Sequence, residues 1–475
     1  MNLKNKIIAI GFLVTAVLFG SYITSCTNQS DSGMVVFTRV PVNKTDLQKV
    51  LPHIFTGANL SAINPSKTND EAVNLTPDFY SACSPHVSYD AQHLLFLGQK
   101  AEKDLWQVWE MDLKDKTSRQ VTNCKMSINS VCYLPGNKIA FSKAMTDKKT
   151  GIQSNALFSM SMDGTKPEQI TFHPHNDFIS TVLKEGRILI NSRQVFPEQG
   201  KAKLLAMRPN GTKAELFYTD NSSTVYGQCV TEQNGLIYLT EQNQATKSKV
   251  DIISVSYNRP LHSKVNYTSK VPGNFYWILP VSAENLIVSY QAPDSKNIGL
   301  WNFSTTGNSI LEALYNNSEF NCFEPVLIQP YNRPRKLPND INKAQSSGSL
   351  LCTNINLTGN GIETTNATKV EVLGLEKSLG TIDVEKDGSF YLSVIADTPV
   401  RIQALDAGNN IVSGPSEWIW VRPFERRGCV GCHENHELVP QNIVPMAVNK
   451  WPVVVPVDST QQNKKSEITK VSEMK

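Results

Sequence analysis

The sequence carries little excess charge for its length. Its 475 residues include 46 lysines and arginines and 43 aspartates and glutamates, so the formal net charge is only +3. No stretch has the concentrated positive charge that a nucleic-acid-binding surface needs, so we expect no nucleic-acid partner. The length exceeds what one ordinary hydrophobic core supports, which predicts two or three domains.

Long apolar runs are also scarce. One run, residues 7–19, follows Lys4 and Lys6 and is shorter than the roughly 20 apolar residues that a spanning helix needs. A short positive region followed by such a run is typical of an export signal. Cys26 comes next, at the start of a polar linker, as in bacterial lipoproteins. We predict that residues 1–26 are a lipoprotein signal peptide and that Cys26 is lipidated, which would anchor the protein to a membrane surface. The alternative is an ordinary secretory signal with an incidental cysteine.

The chain has nine cysteines and eight histidines, and most of them are dispersed. The histidines form no Ser/His/Asp arrangement for nucleophilic catalysis. Six cysteines lie outside the N-terminal signal and the C-terminal pair, with no metal-like spacing: Cys83, Cys124, Cys132, Cys229, Cys322 and Cys352. An oxidising compartment permits disulfides, and one between Cys124 and Cys132 would clip a hairpin. The alternative is that these cysteines are buried thiols.

A repeated β pattern extends from about residue 84 to about residue 335. Alternating apolar strands are separated by polar turns, and the units begin roughly 45 to 50 residues apart, which is the period of a four-stranded propeller blade. Turns such as Asp163-Gly164 and Asn210-Gly211 supply the positive φ angles that tight hairpins require. We predict a six-bladed β-propeller over residues 27–335, with the strand at 34–41 closing the last blade. The blades resemble propeller repeats of the TolB type. The alternative is an open sandwich of similar strands.

A second β module is predicted after a Pro/Arg/Asn-rich boundary at residues 330–338. Residues 345–421 contain several short alternating strands with turn signals, which indicates a small β-sandwich and completes an all-β fold. Trp418 and Trp420 alternate with Ile419 at its end. We expect one tryptophan to face the module's core and the other to face the segment that follows. Residues 43–78 are polar and predict a loop or a short excursion across one propeller face.

The motif that specifies chemistry is Cys429-Val430-Gly431-Cys432-His433. Cys-x-x-Cys-His is the attachment signature of c-type heme in exported proteins. Two thiols at this spacing reach the two vinyl groups of one porphyrin, and the next imidazole becomes the proximal iron ligand. A redox pair or a zinc half-site would not need His433, and no second Cys-x-x-Cys completes a four-thiolate zinc site. We predict one covalent heme c in a binding segment at 422–460, followed by a flexible tail at 461–475.

The residues around this motif resemble a known family. The stretches at 379–392 and 396–407, and the run Trp418-Ile-Trp-Val-Arg-Pro-Phe-Glu-Arg-Arg-Gly-Cys-Val-Gly-Cys-His-Glu, are similar to the middle domain of hydrazine synthase alpha subunits. The resemblance implies a propeller ahead of a heme-bearing domain, as predicted from the repeats. It also implies a second heme domain. In the family, a tyrosine that lies four residues after the motif histidine ligates the heme iron. Here only one motif is present and that position is Glu437, so we do not carry hydrazine formation over.

The sixth ligand of the heme iron is left open by the sequence. Met446 lies in a downstream segment that is expected to wrap back over the module, and a methionine ligand raises the reduction potential. His173 and His175 lie on a predicted propeller loop and are further candidates, although exposed loop histidines are ordinary. A vacant sixth position would suit small-molecule chemistry at the iron.

Three functions are compatible with these patterns, and we expect the first because one heme motif is present without an evident catalytic arrangement beside it. The first is a monoheme cytochrome lipoprotein that exchanges electrons with a redox partner protein at the bacterial envelope, anchored to the outer membrane. The second is a heme enzyme, or a subunit of one, that acts on a small nitrogenous or peroxidic substrate. The third is a propeller-based binding protein in which the heme has a structural or sensing role.

Overall fold

The computed structural model describes residues 33–44, 54–67, 71–226, 231–243, 249–357, 366–429 and 443–456. These residues form an all-β fold with two short 3₁₀ helices, Val42–Lys44 and Met446–Asn449. No helix among the described residues is long and apolar enough to cross a membrane. The predicted signal peptide, Cys26 and the tail at 461–475 lie outside the described residues.

The strands of the first part follow one another as antiparallel meanders. The first sheets contain β1 (Val35–Pro41), β2 (Asn59–Ile63), β3 (Val73–Asn74), β4 (Ser81–Val87), β5 (His93–Gln99), β6 (Gln107–Asp112) and β7 (Ser118–Gln120). Next come β8 (Ile128–Leu134), β9 (Lys138–Thr146), β10 (Gln153–Ser161), β11 (Glu168–Gln169), β12 (His175–Val182), β13 (Ile188–Gln194), β14 (Ala202–Met207) and β15 (Glu215–Tyr218).

The remaining strands of this part are β16 (Ser223–Val225), β17 (Thr231–Gln233), β18 (Leu236–Asn243), β19 (Val250–Ser256), β20 (Val265–Asn266), β21 (Asn274–Pro280), β22 (Asn285–Gln291), β23 (Gly299–Ser304), β24 (Ser309–Tyr315) and β25 (Phe320–Leu327). Their sheets are β4–β7, β8–β15, β16–β20, β21–β24 and β25-β1-β2-β3. The long sheet consists of two meanders joined where β10 and β12 run parallel at Asn155 and Asn176.

The last sheet of the propeller combines the two ends of this region. β1 pairs with β25 across nearly 300 residues of sequence, and β25 also contacts β4 of the next sheet. The buried Glu324 joins the three strands, because its carboxylate accepts hydrogen bonds from the Thr38 hydroxyl (2.5 Å) and from the backbone N–H of Ser84 (2.7 Å). Burial raises the pKa of Glu324. The prediction of a loop over residues 43–78 is wrong in part, since β2 and β3 extend this sheet.

The second module is a sandwich of two four-stranded sheets. Its strands are β26 (Ser347–Cys352), β27 (Lys369–Leu373), β28 (Ser378–Asp383), β29 (Phe390–Ile395), β30 (Arg401–Leu405), β31 (Ile411–Ser413), β32 (Arg426–Cys429) and β33 (Val453–Val455). One sheet has the order β32-β26-β29-β33 and the other β28-β27-β30-β31. The predicted boundary at residue 421 is therefore wrong, because β32 and β33 form the two edges of a sandwich sheet.

Of the two alternatives for Cys124 and Cys132, the disulfide is not formed. Both are free thiols, and Cys132 is buried in the propeller core, where desolvation raises its pKa to about 12. Cys83 and Cys322 are also buried free thiols. The structure supports the interpretation as buried thiols for Cys83, Cys132 and Cys322, whereas Cys124 is half-buried. Cys229 lies outside the described residues.

Candidate functional site at the junction of propeller and sandwich

The strand that leads into the heme motif is built into the sandwich. β32 runs parallel to β26, so that Ser349, Leu350 and Leu351 pair in turn with Arg426, Arg427 and Gly428, and Cys429 pairs with Cys352. Cys432 and His433 lie outside the described residues. The structure thus fixes where the motif begins, at the end of an edge strand, and heme attachment remains a prediction.

The same segment is tied to the propeller by a buried carboxylate. Glu425 accepts hydrogen bonds from the backbone N–H of Arg422 and from the backbone N–H of Lys213 on the propeller, each at 2.7 Å. Arg427 donates to the Trp420 carbonyl oxygen at 2.8 Å and also to the Ala214 carbonyl oxygen. These contacts hold the start of the heme motif against one propeller loop.

Arg422 is a buried cation at this junction, with 2% of its surface exposed. Its guanidinium donates to Glu168 Oε1 (2.5 Å) and to the Gln169 carbonyl oxygen (2.6 Å), both on β11. Arg422 Nε also lies 3.2 Å from Asp397 Oδ1 in the sandwich, as a charge contact without hydrogen-bond geometry. Burial raises the pKa of Asp397, and the attraction of Arg422 opposes that shift. One cation thus links carboxylates from both domains.

Both tryptophans at the end of the sandwich face the propeller. Trp418 Nε1 donates to the Phe196 carbonyl oxygen at 2.8 Å, and Trp420 Nε1 donates to the Gly211 carbonyl oxygen at 3.1 Å. The prediction that one of them would enter the module's own core is wrong. Ile419 and Val421 pack there instead, because alternation along the segment places the two tryptophans together on the opposite face.

Gly211 shows how closely the propeller turn is fitted to this contact. It has φ +82°, and an added Cβ would lie 2.2 Å from the Ile170 carbonyl oxygen. Only glycine is accommodated in that position. The Asn-Gly turn predicted from the sequence therefore also presents the carbonyl that Trp420 requires.

The two histidines of the Phe-His-Pro-His run are buried, which corrects their interpretation as exposed loop residues. His175 is the first residue of β12, His173 precedes it, and they are 1% and 5% exposed. Their rings stack at a centroid distance of 3.8 Å, and the His173 ring meets the edge of Trp420 at 4.6 Å. The pair supports the tryptophan that closes the junction.

A buried carboxylate fixes the protons of both rings. His173 Nε2 lies 2.8 Å from Asp177 Oδ2, and the Ser192 hydroxyl donates to Asp177 Oδ1 at 2.6 Å. Because that hydroxyl proton is committed, His175 Nδ1–H donates to Ser192 Oγ at 2.9 Å. Burial, and secondarily the neighbouring His173, lowers the pKa of His175 well below its usual value. The outer nitrogens, His173 Nδ1 and His175 Nε2, are buried without a hydrogen-bond partner.

Two histidines and an aspartate this close could suit a metal ion, since one ligand atom from each lies within 4.8 Å of the others. The ring lone pairs, however, lie in the ring planes, and the two planes are inclined by only 11°. Nearly parallel stacked rings do not direct their lone pairs at one point. In this geometry the cluster is a hydrogen-bonded support for Trp420, and ligation of the heme iron by His173 or His175 stays a prediction.

A cavity of about 200 Å³ lies between the two domains beside this cluster. His175 and Trp420 form part of its wall, and Arg427 brings the heme-motif strand to its edge. Lys203 and Glu417 form an ion pair at 2.6 Å that joins the propeller to the sandwich in the same wall. The cavity therefore combines aromatic and ionisable groups two residues from Cys429.

Met446, the other predicted iron ligand, lies at the same end of the sandwich sheet as Cys429. Its backbone N–H donates to Asp387 Oδ2 (2.7 Å), and the next N–H donates to Ser389 Oγ (3.0 Å), just before β29. Phe390 of β29 pairs with Cys352, which pairs with Cys429. At about 4.8 Å per strand, Phe390 lies roughly 10 Å from Cys429. The segment wraps back over the module as expected.

Comparisons with known proteins agree with this architecture. Residues 339–434 match the hydrazine synthase alpha subunit middle domain, which includes the strands of the junction and the heme motif. The chain is 20% identical to hydrazine synthase subunit alpha of Kuenenia stuttgartiensis over an alignment of 550 positions, which covers 85% of this chain and 66% of the relative. The chain thus spans just under two thirds of that relative's length.

A solved structure shows the same architecture. The Kuenenia stuttgartiensis hydrazine synthase structure superposes with a TM-score of 0.77 at 18% identity, covering 88% of this chain and 72% of that one. TolB from Acinetobacter baumannii, at 12% identity, has a TM-score of 0.44 over 62% of this chain and 66% of its own. The fold is a β-propeller joined to a sandwich module. The predicted resemblance to the hydrazine synthase alpha subunit-like family is confirmed.

Several important residues were not identified from the sequence. Asp177 and Ser192 lie inside strands whose alternation predicted only packing. Arg422 and Glu425 lie in the run that carries the family resemblance, but the sequence assigned neither of them a role. A signal was present in each case, because a charged or hydroxyl side chain at an inward position of a buried strand needs a buried partner.

Proposed function

We propose that this protein is a heme enzyme, or a subunit of one, that acts on a small nitrogenous substrate and is related to but distinct from hydrazine synthase. One heme c would be attached covalently through Cys429 and Cys432, with His433 as proximal ligand. The observation that supports the proposal best is the position of the motif strand. β32 borders a cavity between two domains that are joined by buried contacts, which is a common location for a small-molecule site.

The family resemblance supports heme c binding in general, and Glu437 in place of tyrosine distinguishes this chain from the enzyme. Heme iron would supply redox chemistry and a position for a small ligand. The chain's own residues would orient the motif strand through Arg427 and Glu425 and line the cavity with Trp420 and the Lys203–Glu417 pair. The proposal also includes six propeller blades, a lipid anchor at Cys26, and a periplasmic or surface-facing location.

Ligand binding at the iron tests this function. Protein exported from a host that attaches heme c is oxidised and titrated with azide, a small nitrogenous probe, while the visible spectrum is recorded. A saturable shift of the Soret band is expected. A six-coordinate, low-spin spectrum that azide does not change would contradict the enzyme proposal.

One observation favours electron transfer as a second candidate function. Met446 lies at the same end of the sheet as Cys429, and its side chain is 43% exposed, so it is available to the iron without unfolding the core. A methionine ligand would give a six-coordinate heme with a higher reduction potential, which suits electron exchange with a redox partner protein. Met446→Ala distinguishes the two functions, because azide binding would then appear only in the variant.

A further inference from the structure

An exposed apolar strip follows the heme motif on the sandwich. Seven of the 18 large hydrophobic side chains that are exposed among the described residues fall within only 12 positions: Ile443, Val444, Met446, Val448, Trp451, Val453 and Val454. Trp451 is 93% exposed, the largest fraction in this group. Scattered apolar residues are normal on a surface, but a contiguous patch marks a binding surface.

The strip is held in a defined position. β33 pairs in parallel with β29, with Val453 opposite Leu392 and Val455 opposite Val394. Val455 is buried in the sandwich core. Lys450 Nζ binds Glu385 Oε1 at 2.5 Å on the turn before β29. The exposed side chains therefore project from a segment that is anchored at both ends.

Sheet register places the strip at the heme end of the sandwich. Val453 is level with Leu392, so Trp451, two residues earlier, is level with Phe390. Phe390 is level with Cys352, and Cys352 with Cys429. Trp451 and Cys429 thus lie at the same height on opposite edges of a four-stranded sheet, about 14 Å apart at roughly 4.8 Å per strand. This separation is comparable to the width of a porphyrin.

We propose that the strip 443–454 forms the apolar wall that covers one face of the heme tethered at Cys429. The inference rests on the proposed heme attachment. It identifies residues that no sequence motif marks. A porphyrin face is large and apolar, so covering it would remove Trp451 and its neighbours from water. A membrane surface or another protein on this strip is the competing occupant.

Tryptophan accessibility in the full-length chain tests the inference. Acrylamide quenching is compared between the heme-loaded protein and the heme-free Cys429→Ser/Cys432→Ser variant, each with and without Trp451→Phe. In the heme-free chain, Trp451 should supply most of the quenchable emission, and Trp451→Phe should remove it. In the heme-loaded chain, the effect of Trp451→Phe on acrylamide quenching should be several-fold smaller than in the heme-free chain, because the heme already shields that indole and quenches its emission. Trp109→Phe, on a half-buried propeller side chain, is the matched control.

The outcomes separate the inference from the function on which it rests. A hemochrome-positive wild type in which Trp451 remains fully accessible would overturn the wall and leave the heme proposal standing. Protection of Trp451 only on addition of vesicles or another protein would also overturn it. A hemochrome-negative protein from a competent host would overturn both. A second variant, Val444→Asp, should leave covalent heme content unchanged and shift the Soret band, whereas an unchanged spectrum would count against the wall.

Discussion

The two edges of one sandwich sheet differ sharply. At the β32 edge, the side chains pack and bond within the protein. Arg422, Glu425 and Trp420 are all buried, and each binds the propeller. At the β33 edge, Trp451 and Val454 project into solvent. Among the described residues, the same sheet thus has one edge completed by contacts with the propeller and one edge that presents apolar side chains to solvent. The first edge fixes the strand that leads into Cys429, and the second is the edge on which we propose that the heme packs.

The largest expected effect comes from removing the charge at the completed edge. Arg422→Ala should lower the free energy of unfolding by about 3 kcal/mol, near the lower end for a buried ion pair because Glu168 and Asp397 are each a third exposed. Lys343→Ala is the matched control, since Lys343 binds the same Glu168 but is 70% exposed, and should change stability by less than about 0.5 kcal/mol. Equal denaturation midpoints for the two variants would contradict a supporting role for Arg422.

Shortening the tryptophan at the junction should also be costly. Trp420→Ala removes a buried indole that packs on His173 and should cost about 3 kcal/mol. Trp420→Phe keeps most of the packing and loses the hydrogen bond to Gly211, which should cost about 1 kcal/mol. Chemical denaturation measures both values. If the two variants were equally stable, the junction would not depend on indole packing.

The pH dependence of stability should reflect the neutral histidines. Burial lowers the pKa of His175 well below 6.5 and that of His86 to about 4. Below pH 6.5 the unfolded chain takes up protons that the folded chain does not bind, so unfolding becomes easier as pH falls. Each group should contribute a slope of up to about 1.4 kcal/mol per pH unit, from pH 6.5 down to its folded pKa.

Urea denaturation at pH values between 7 and 5 measures this slope. His86→Gln should reduce it without affecting the junction, and His175→Gln should reduce it while also loosening Trp420. A slope that is unchanged in both variants would mean that neither histidine is held neutral by burial.

The smallest effect is expected at the exposed edge. Val454→Ser should change the stability of the heme-free chain by less than about 0.5 kcal/mol, because that side chain is 63% exposed. Val455→Ser, one residue further, should cost more than 1 kcal/mol because Val455 is buried. The neighbouring pair can be compared by thermal denaturation, and a large loss from Val454→Ser would show that the strip already packs on protein.

Local patterns predicted the all-β class, the turns such as Asn210-Gly211 and the strands that carry alternating apolar residues. They could not predict pairings between distant segments. β33 joins β29 after more than 50 intervening residues, and Trp420 meets Gly211 from over 200 residues away. Alternation puts Trp418 and Trp420 on one face, so the expectation that only one of them would enter the module's core did not follow from the pattern. The packing of that face on the propeller depends on tertiary structure.

The candidate site shows the same limit. Cys-x-x-Cys-His is recognised because the chemistry fixes its spacing, and the resemblance around it is local in sequence. Asp177 binds His173 and Ser192, and Ser192 in turn binds His175. Because Ser192 lies on another strand, no fixed sequence spacing identifies Asp177. The apolar residues of the strip are evident in the sequence, but their exposure is not. Exposure depends on the tertiary structure, in which Val455 points into the core and its neighbours point to solvent.

The most direct test is whether a heme is attached at the end of β32. The full-length protein, exported from a host that matures c-type cytochromes, is digested and its peptides are analysed by mass spectrometry beside a pyridine hemochrome spectrum. One heme on the peptide that contains Cys429 and Cys432, lost in Cys429→Ser/Cys432→Ser, is the predicted result. An unmodified peptide from that host, with no hemochrome spectrum, would contradict the account.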